Sequence, residues 1–138
     1  MTTGADDPRW NRVRAAFGRV AYARFLGLEL CETESGRTAI CLDVRDDLKQ
    51  NHGVVHGGAI ASLIDTASAF AILAVIEENE KVTTTDLTIQ YLRPATSGRI
   101  VAEAKIVRAG RRRFVVTVDV QNGDALIATA MTGYVKIT

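Results

Sequence analysis

The sequence predicts a single α+β domain in which an antiparallel sheet wraps around one long central helix. The first observation is that residues 57–76 form an almost wholly apolar run, and a helix that apolar must be buried on most of its circumference. The second is that segments with strand-like alternation flank this run, two before it and four after it. With 138 residues, the chain is expected to form one domain, 1–138, with a core of its own.

The chain opens with a predicted helical extension over residues 1–24. Pro8 to about Val20 is predicted as a short helix, with Asp6 or Asp7 as its N-cap and the proline in its first turn. Three apolar side chains recur at helical spacing and are expected to dock on the body of the fold: Trp10, Val13 and Phe17.

Strands make up most of the remaining chain. A strand pair, Phe25–Thr33 and Thr38–Val44, is predicted before an irregular polar loop over Asp46–Gly53 that leads to the long helix. Four further strands are predicted after the helix as an antiparallel meander: Lys81–Tyr91, Arg99–Ala109, Arg112–Asn122 and Ala125–Ile137. The break at Asn122-Gly123-Asp124 is a strong hairpin signal.

Composition excludes several classes of function. A hydrophobic content of 47% with 24% charged residues is ordinary for a soluble globular protein. The net charge of +1 argues against nucleic-acid and membrane-surface binding, since both need a sustained basic excess. The first residues have neither the basic nor the apolar segment of a secretory signal, so a cytoplasmic protein is expected. The apolar run approaches membrane-spanning length, but the polar side chains within it favour a buried core helix.

The two cysteines, Cys31 and Cys41, fall on neighbouring predicted strands. They are too few and too widely spaced for a zinc site. Two reduced thiols in a cytoplasmic core are therefore expected.

Asp65 is the only charged side chain between Gly57 and Ile76. Burying an unpaired carboxylate costs several kcal/mol, so a lone acid in an apolar helix is either tightly partnered or kept for chemistry. Taken by itself, a structural Asp bonded to a hydroxyl or an arginine is as good an interpretation as a catalytic one.

The start of the same helix supplies a second chemical feature. The turn His56-Gly57-Gly58 runs directly into the helix, where free backbone N–H groups and the positive end of the dipole favour an anion or a developing oxyanion. Glycines let a ligand approach the backbone closely. An acid together with an oxyanion pocket suits acyl-transfer chemistry.

The spacing of these two features constrains the site. Asp65 follows Gly57 by eight residues, which is roughly 12 Å along a helix. A hydrogen bond spans about 3 Å, so one carbonyl cannot readily reach both groups of one chain. If both act on one carbonyl, a second copy of the helix must run antiparallel alongside, and the site is shared across a dimer interface.

The segment Gly53-Val-Val-His-Gly-Gly-Ala-Ile-Ala-Ser-Leu-Ile-Asp-Thr-Ala-Ser-Ala69 resembles the signature of hotdog-fold acyl-CoA thioesterases, specifically the phenylacetate-pathway (PaaI-like) group. The segment Thr84-Thr-Asp-Leu-Thr-Ile-Gln-Tyr-Leu-Arg-Pro-Ala95 resembles the strand that follows the helix in that group. The resemblance extends from about Leu26 to the C-terminus. It implies the hotdog fold and a homodimer with one continuous sheet, and it leaves a dimer of dimers open. It also implies thioester hydrolysis with acyl-CoA as substrate and no cofactor or metal.

The resemblance also implies roles for individual residues. Asp65 is the expected general base or nucleophile, and the Gly57 N–H is the expected oxyanion donor. Family members carry an amide on the loop before the turn, and here the role is open between Gln50 and Asn51. Thr84 matches a Ser or Thr that holds the attacking water. Another hydroxyl of some members, four residues past the acid, is Ala69 here, which increases the weight on Thr84.

Other residues are expected to contact the substrate. His56 and Gly58 shape the turn, since no Asp or Ser is spaced to form a triad with the histidine. Small or aliphatic side chains are expected to line the acyl pocket: Ala61, Ile64, Ala67 and Ser68. Arginines bind phosphates in bidentate fashion, so those near the predicted turns are candidates for the CoA phosphates: Arg93, Arg111 and Arg113. The alternative for the arginine cluster is a solvated surface.

Two rival functions are weighed. The first is a non-catalytic acyl-CoA-binding module, which the lone buried acid disfavours because a binder does not need it. The second is a hotdog hydratase or dehydratase, which uses a His–acid pair that this helix does not offer. The acyl group itself is not readable from the sequence, and arylacetyl and medium-chain groups both fit.

Overall fold

The structure, a computed structural model, describes residues 8–34 and 36–137. Two short helices, α1 (Pro8–Gly18) and α2 (Ala21–Leu26), precede the strand pair β1 (Glu29–Glu34) and β2 (Arg37–Asp43). After a 3₁₀ turn at Asp46–Leu48, the long helix α3 spans Gly57–Leu73. Four strands follow: β3 (Val82–Tyr91), β4 (Arg99–Ala109), β5 (Arg113–Asn122) and β6 (Ala125–Lys136). The predicted α+β class with a central helix is confirmed.

The six strands form one antiparallel sheet in the order β1-β2-β4-β5-β6-β3. The predicted four-strand meander is wrong for β3, which pairs with β6 and not with its neighbour in sequence, β4. The reason is that β4 already has β2 on one side and β5 on the other, so the free edge for β3 is that of β6. This placement leaves β3 at the end of the sheet, with most of its side chains exposed.

The sheet curves around α3, which buries one side of the helix. The buried side chains include Ile60, Leu63, Ile64 and Phe70, and they pack on inward-facing residues of β2, β4 and β5. The opposite side of α3 is only partly covered and carries small and polar residues at helical spacing: Ala61, Ser62, Asp65, Thr66 and Ala69. The acid therefore lies at the boundary between the core and the surface.

The first helix, α1, docks on the C-terminal half of α3. Trp10 and Val13 are buried, and the Phe17 ring meets Phe70 edge to face with centroids 5.2 Å apart. The Arg12 guanidinium donates to the carbonyls of Leu73 and Ile76, which satisfies groups left open at the end of the helix. The predicted docking stripe is confirmed, while the predicted caps at residues 6 and 7 lie outside the described residues.

The strand start predicted at Phe25 is wrong. Phe25 belongs to α2, which ends at Gly27 in the left-handed conformation (φ 79°) that glycine adopts without strain. The first strand begins only at Glu29.

Cys31 and Cys41 are joined by a disulfide, so the expectation of two reduced thiols is wrong. The two cysteines lie on the paired strands β1 and β2, with Cα atoms 6.3 Å apart. A bulge in β1 between Leu30 and Glu32 places Cys31 diagonally across from Cys41, within the range that a disulfide bridges.

The described part of the chain offers neither a membrane-spanning helix nor a metal-binding cluster. None of its helices has the length and apolarity needed to cross a membrane. No group of three or more His, Cys, Asp or Glu side chains there is arranged to hold a metal ion.

Candidate active site

Asp65 is half-buried on α3 and accepts two side-chain hydrogen bonds. The Thr84 hydroxyl, from β3, donates to Oδ1 over 2.8 Å. The Tyr134 hydroxyl, from β6, also donates a hydrogen bond to Oδ1, and it lies 2.8 Å from the Asp65 carbonyl oxygen. Both donors therefore hold the same carboxylate oxygen, and no bond from the described residues occupies Oδ2.

Strand register explains how these two donors meet. Thr84 and Tyr134 are direct partners in the β3–β6 ladder, so their side chains reach α3 side by side. A bulge between Thr84 and Asp86 interrupts the ladder next to them. Glycine at position 133 leaves room for the Asp86 carboxylate, since a Cβ there would displace that carboxylate and crowd the Thr85 hydroxyl. The bulge thus helps to aim Thr84 at the acid.

Tyr134 is almost fully buried and remains a hydrogen-bond donor at neutral pH. Burial raises the pKa of Tyr134 far above its usual value, and the hydrogen bond to Asp65 raises it further. Sequence reasoning missed this residue. The available signal was a tyrosine at an inward position of a strand, since a buried tyrosine usually finds a partner for its hydroxyl.

A groove of about 270 Å³ opens beside Asp65. It runs between α3, the start of β3 and the junction of α1 with α2. Apart from Asp65, Thr84 and Tyr134, its lining is largely apolar: Val20, Thr66, Ala69, Phe70, Val82 and Thr83. The groove presents the acid at the edge of a surface that suits a hydrocarbon group.

The turn before α3 is organised by His56. Its Nδ1 accepts the Gly58 N–H over 2.8 Å and so caps the helix. Because Nδ1 is the unprotonated nitrogen, the proton of the neutral ring is on Nε2, and the histidine has no free basic lone pair. Glycine at 58 allows this contact, since a Cβ there would lie 2.9 Å from Nδ1. His56 is therefore suited to shaping the turn and not to acting as a base.

The Gly57 N–H is the open donor of this turn. The N–H groups of Ala59 and Ile60 point to the His56 carbonyl, at 3.0 and 3.4 Å, and Gly58 is capped. Within residues 8–34 and 36–137, no acceptor contacts the Gly57 N–H. The His56 carbonyl belongs to the same peptide unit, so the bonds it accepts polarise the Gly57 N–H as a donor.

A second groove, of about 320 Å³, lies beside Gly57. Tyr91 lines it, donates its hydroxyl to the Gly57 carbonyl over 2.7 Å and packs its ring against the Gly57 backbone. Partial burial raises the pKa of Tyr91, which keeps this hydroxyl protonated. Arg93 lines the same groove. Tyr91 is the second site residue that sequence reasoning missed.

The Gly57 groove and the Asp65 groove have no lining residue in common. Thr84 meets Asp65 while Tyr91, seven residues further along β3, meets Gly57, so α3 and β3 run in opposite directions. The acid and the open N–H of one chain therefore face different grooves, as the eight-residue spacing along the helix predicts.

The other predicted site residues lie apart from Asp65. The Gln50 side-chain oxygen accepts the His52 N–H, and Asn51 is exposed in the same loop, on the Gly57 side of the chain. Ser68 is 0% exposed, and its hydroxyl accepts a hydrogen bond from the Thr132 hydroxyl. Its side chain therefore faces the sheet and not a groove. Arg111 and Arg113 are exposed at the β4–β5 turn and line neither groove.

Residues 52–128, more than half of the chain, match the family model of the thioesterase superfamily. The medium/long-chain acyl-CoA thioesterase YigI of Salmonella typhimurium is 31% identical over 129 residues, covering 82% of this chain and 83% of that protein. The acyl-coenzyme A thioesterase PaaI of Escherichia coli is 26% identical over 114 residues, covering 82% and 79%. A solved thioesterase family protein from Silicibacter pomeroyi superposes with a TM-score of 0.88 and 26% identity, covering 93% of this chain and 97% of that one.

The family model spans both the turn at Gly57 and the acid at Asp65, and the structural match covers nearly all of the sheet and α3. The similarity to these proteins therefore covers the elements that form the two grooves. The chain belongs to the thioesterase superfamily and is a thioester hydrolase of the hotdog fold.

Proposed function

We propose that this chain hydrolyses acyl-CoA thioesters to the free acid and CoA, at a site shared by two copies of the chain. One observation carries the proposal. Asp65 lines a groove, two hydroxyls hold one of its carboxylate oxygens, and no bond from the described residues occupies the other. A fixed carboxylate with one open oxygen is what a general base or a nucleophile needs. The relatives named as acyl-CoA thioesterases support CoA esters as the substrate class.

The second copy supplies the oxyanion donor. The Asp65 oxygen and the Gly57 N–H of one chain are separated by roughly 12 Å of helix, so an antiparallel partner helix is needed to bring them together. The free edge of β3 supports this arrangement, because an exposed edge strand next to the partly open side of α3 offers N–H and C=O groups for pairing. Pairing two β3 strands places one chain's Gly57 groove beside the other's Asp65 groove.

In one route, Asp65 acts as a general base. Oδ2 takes a proton from water while the water oxygen bonds to the thioester carbonyl carbon. Negative charge moves to the carbonyl oxygen, where the partner chain's Gly57 N–H donates to it. The C–S bond then breaks, the proton held by Asp65 passes to sulfur, and the acid and the CoA thiol leave.

In the other route, Asp65 is the nucleophile. Oδ2 bonds to the carbonyl carbon, CoA leaves as a thiolate that takes a proton from solvent, and an acyl-aspartyl anhydride remains. Water then cleaves the anhydride and restores the carboxylate. Both routes use the same open oxygen and the same oxyanion donor.

The arginines fit a CoA molecule that crosses the interface. β3 has ten residues, so its ends are about 30 Å apart. Arg93 follows one end, while Arg113, on β5, lies near the other, where Val82 pairs with Lys136. An antiparallel pair of β3 strands brings Arg93 of one chain towards Arg111 and Arg113 of the other, which supports a joint role in binding the CoA phosphates.

Thiol release from a panel of acyl-CoAs tests the proposed function. The purified protein is mixed with aliphatic and arylacetyl CoA esters, and free CoA is followed with a thiol-reactive dye. At least one class should give turnover that saturates with substrate. Binding of these esters without any thiol release would instead support the non-catalytic binding module.

Arginine variants test the CoA contacts. Replacing Arg93, Arg111 or Arg113 with Ala should raise KM about 3- to 10-fold with kcat little changed, because such a contact is made equally in the ground and transition states. The effect should shrink as salt is added. Lys105→Ala, which removes an exposed charge from β4, is the matched control. Unchanged KM in all three arginine variants would mean that the cluster is only a solvated surface.

A further inference from the structure

We infer that Val20, at the junction of α1 and α2, is a specificity-determining residue: its side chain forms the wall of the Asp65 groove opposite β3 and so sets the width of the acyl group that the groove accepts. The inference rests on the proposed hydrolysis at Asp65, and it deepens that proposal by assigning the residue that separates broad arylacetyl groups from slender straight-chain groups. Val20 lies outside residues 52–128, which match the family model, so the family match gives it no role.

The Asp65 groove has a small floor between two sides of α3. Successive residues of a helix are turned by about 100°, so Ala69 points in a direction between those of Asp65 and Thr66. All three residues line the groove. The Asp65 side faces β3, because Thr84 donates to the Asp65 carboxylate. Ala69 has only a methyl group, which leaves room above the helix for an acyl group.

The N-terminal segment contacts α3 at two points on the side turned away from β3. The Phe17 ring meets Phe70 edge to face, with centroids 5.2 Å apart. The Tyr22 hydroxyl forms a hydrogen bond of 2.8 Å with the Ser62 hydroxyl. Ser62 and Phe70 are about two turns apart on one side of α3. The chain between these contacts follows that side, which places Val20 across the floor from β3.

The backbone at Val20 is held on both sides. Its N–H donates to the Phe17 carbonyl over 3.1 Å, and its carbonyl accepts the Arg24 N–H over 3.2 Å. Its side chain packs partly against the core and lines the groove. The wall is therefore fixed relative to α3, and the shape of the Val20 side chain decides how wide a group fits beside it.

The acyl group of a bound ester extends into this groove. Under the proposed function the carbonyl carbon lies at Asp65, and the CoA portion leads towards the partner chain's Gly57 groove. The acyl group then lies between Val20 and the start of β3, where Val82 contributes a second β-branched side chain. An aromatic ring is broader than a straight chain, so the gap between these two walls bears most on arylacetyl groups.

Two substitutions at Val20 test the inference with a pair of esters. Octanoyl-CoA and phenylacetyl-CoA have acyl groups with the same number of carbon atoms but different widths. Val20→Ala widens the gap and should raise the kcat/KM of phenylacetyl-CoA relative to octanoyl-CoA by about 3- to 10-fold, the scale of a methylene-sized change in an apolar pocket. Val20→Ile adds a methylene, keeps the β-branch that suits the extended backbone there (φ −80°, ψ 101°), and should lower the same ratio by a similar factor.

Val44→Ala is the matched control. Like Val20, Val44 is a half-buried valine that packs against the core, but it lines neither groove. This variant should leave the ratio as in the wild type. A loss of packing lowers the turnover of both esters together, whereas a change in the shape of the wall alters their ratio, so the ratio separates the two effects.

The outcomes distinguish this inference from the proposed function. A wild-type protein that releases thiol from no ester refutes the proposed function and, with it, the inference. A wild-type protein that is active, with both Val20 variants giving the same ratio as Val44→Ala, refutes the inference alone. If one of the two esters is hydrolysed too slowly to measure, its inhibition constant against the other replaces its kcat/KM in the comparison. If Val20→Ala fails to fold, the shift expected of Val20→Ile decides the question.

Discussion

Replacing Asp65 with Asn is expected to lower kcat by at least ~10²-fold, the scale on which general acid–base and nucleophilic groups contribute. The substitution should spare the fold, because the Asn carbonyl oxygen can still accept the hydrogen bonds of Thr84 and Tyr134. What it removes is the open oxygen, Oδ2, as a base or nucleophile. Steady-state kinetics on the best CoA ester, with binding measured by calorimetry, should show lost turnover and retained affinity.

The matched control for this prediction is Asp119→Asn. Asp119 is exposed on β5 and accepts a hydrogen bond from Thr129 over 2.8 Å, much as Asp65 accepts one from Thr84. This variant should keep wild-type kcat. Near-normal turnover by Asp65→Asn would exclude Asp65 as the base or nucleophile and make His56 the next candidate for the base. The hydrogen bond from the Gly58 N–H to His56 Nδ1 would then have to break.

Much of the fold followed from local pattern. The bounds of β4 match the prediction, and those of α3, β5 and β6 differ from it by at most a few residues, because glycine-rich breaks and alternation fix where such elements begin and end. The position of β3 in the sheet could not be predicted from the sequence. Pairing of β3 with β6 depends on which edges remain free once β2 has paired with β4, and nothing in the β3 segment itself records that.

The same distinction, between local features and contacts with distant parts of the chain, applies to the residues of the site. Asp65 and the turn at Gly57 stood out in the sequence, because a lone acid in an apolar helix and a glycine pair at its start are local anomalies. Tyr134 and Tyr91 did not, since their importance comes from the partners they meet across the sheet and helix. Ser68 was predicted to line the acyl pocket, but it is fully buried and its hydroxyl bonds to Thr132 of the sheet. A helix apolar on nearly all sides does not reveal from its sequence which side the sheet covers.

Complementation between two inactive variants should give the clearest sign of a shared site. Gly57→Pro deletes the N–H donor, and the structure favours its folding: proline is well tolerated at the first position of a helix, and His56 before it has the extended conformation that proline requires (φ −63°, ψ 134°). Asp65→Ala deletes the acid. Each variant alone should be inactive as a homodimer. Gly57→Ala is the control, because it keeps the N–H and the nearest atoms to its Cβ would be those of Tyr91, at 3.4 Å.

A mixed dimer of Gly57→Pro and Asp65→Ala chains should regain about half of the wild-type activity, because symmetry gives one of its two sites both defects and the other neither. The two chains are co-expressed with different tags, purified through both, and assayed beside each parent. Each parent must also be shown to be folded and dimeric, by circular dichroism and sedimentation. A mixed dimer as inactive as its parents, with all three species folded, would mean that acid and N–H act within one chain. The separation of roughly 12 Å along α3 would then have to be closed by movement of the helix itself, which its packing against five strands (β2 to β6) opposes.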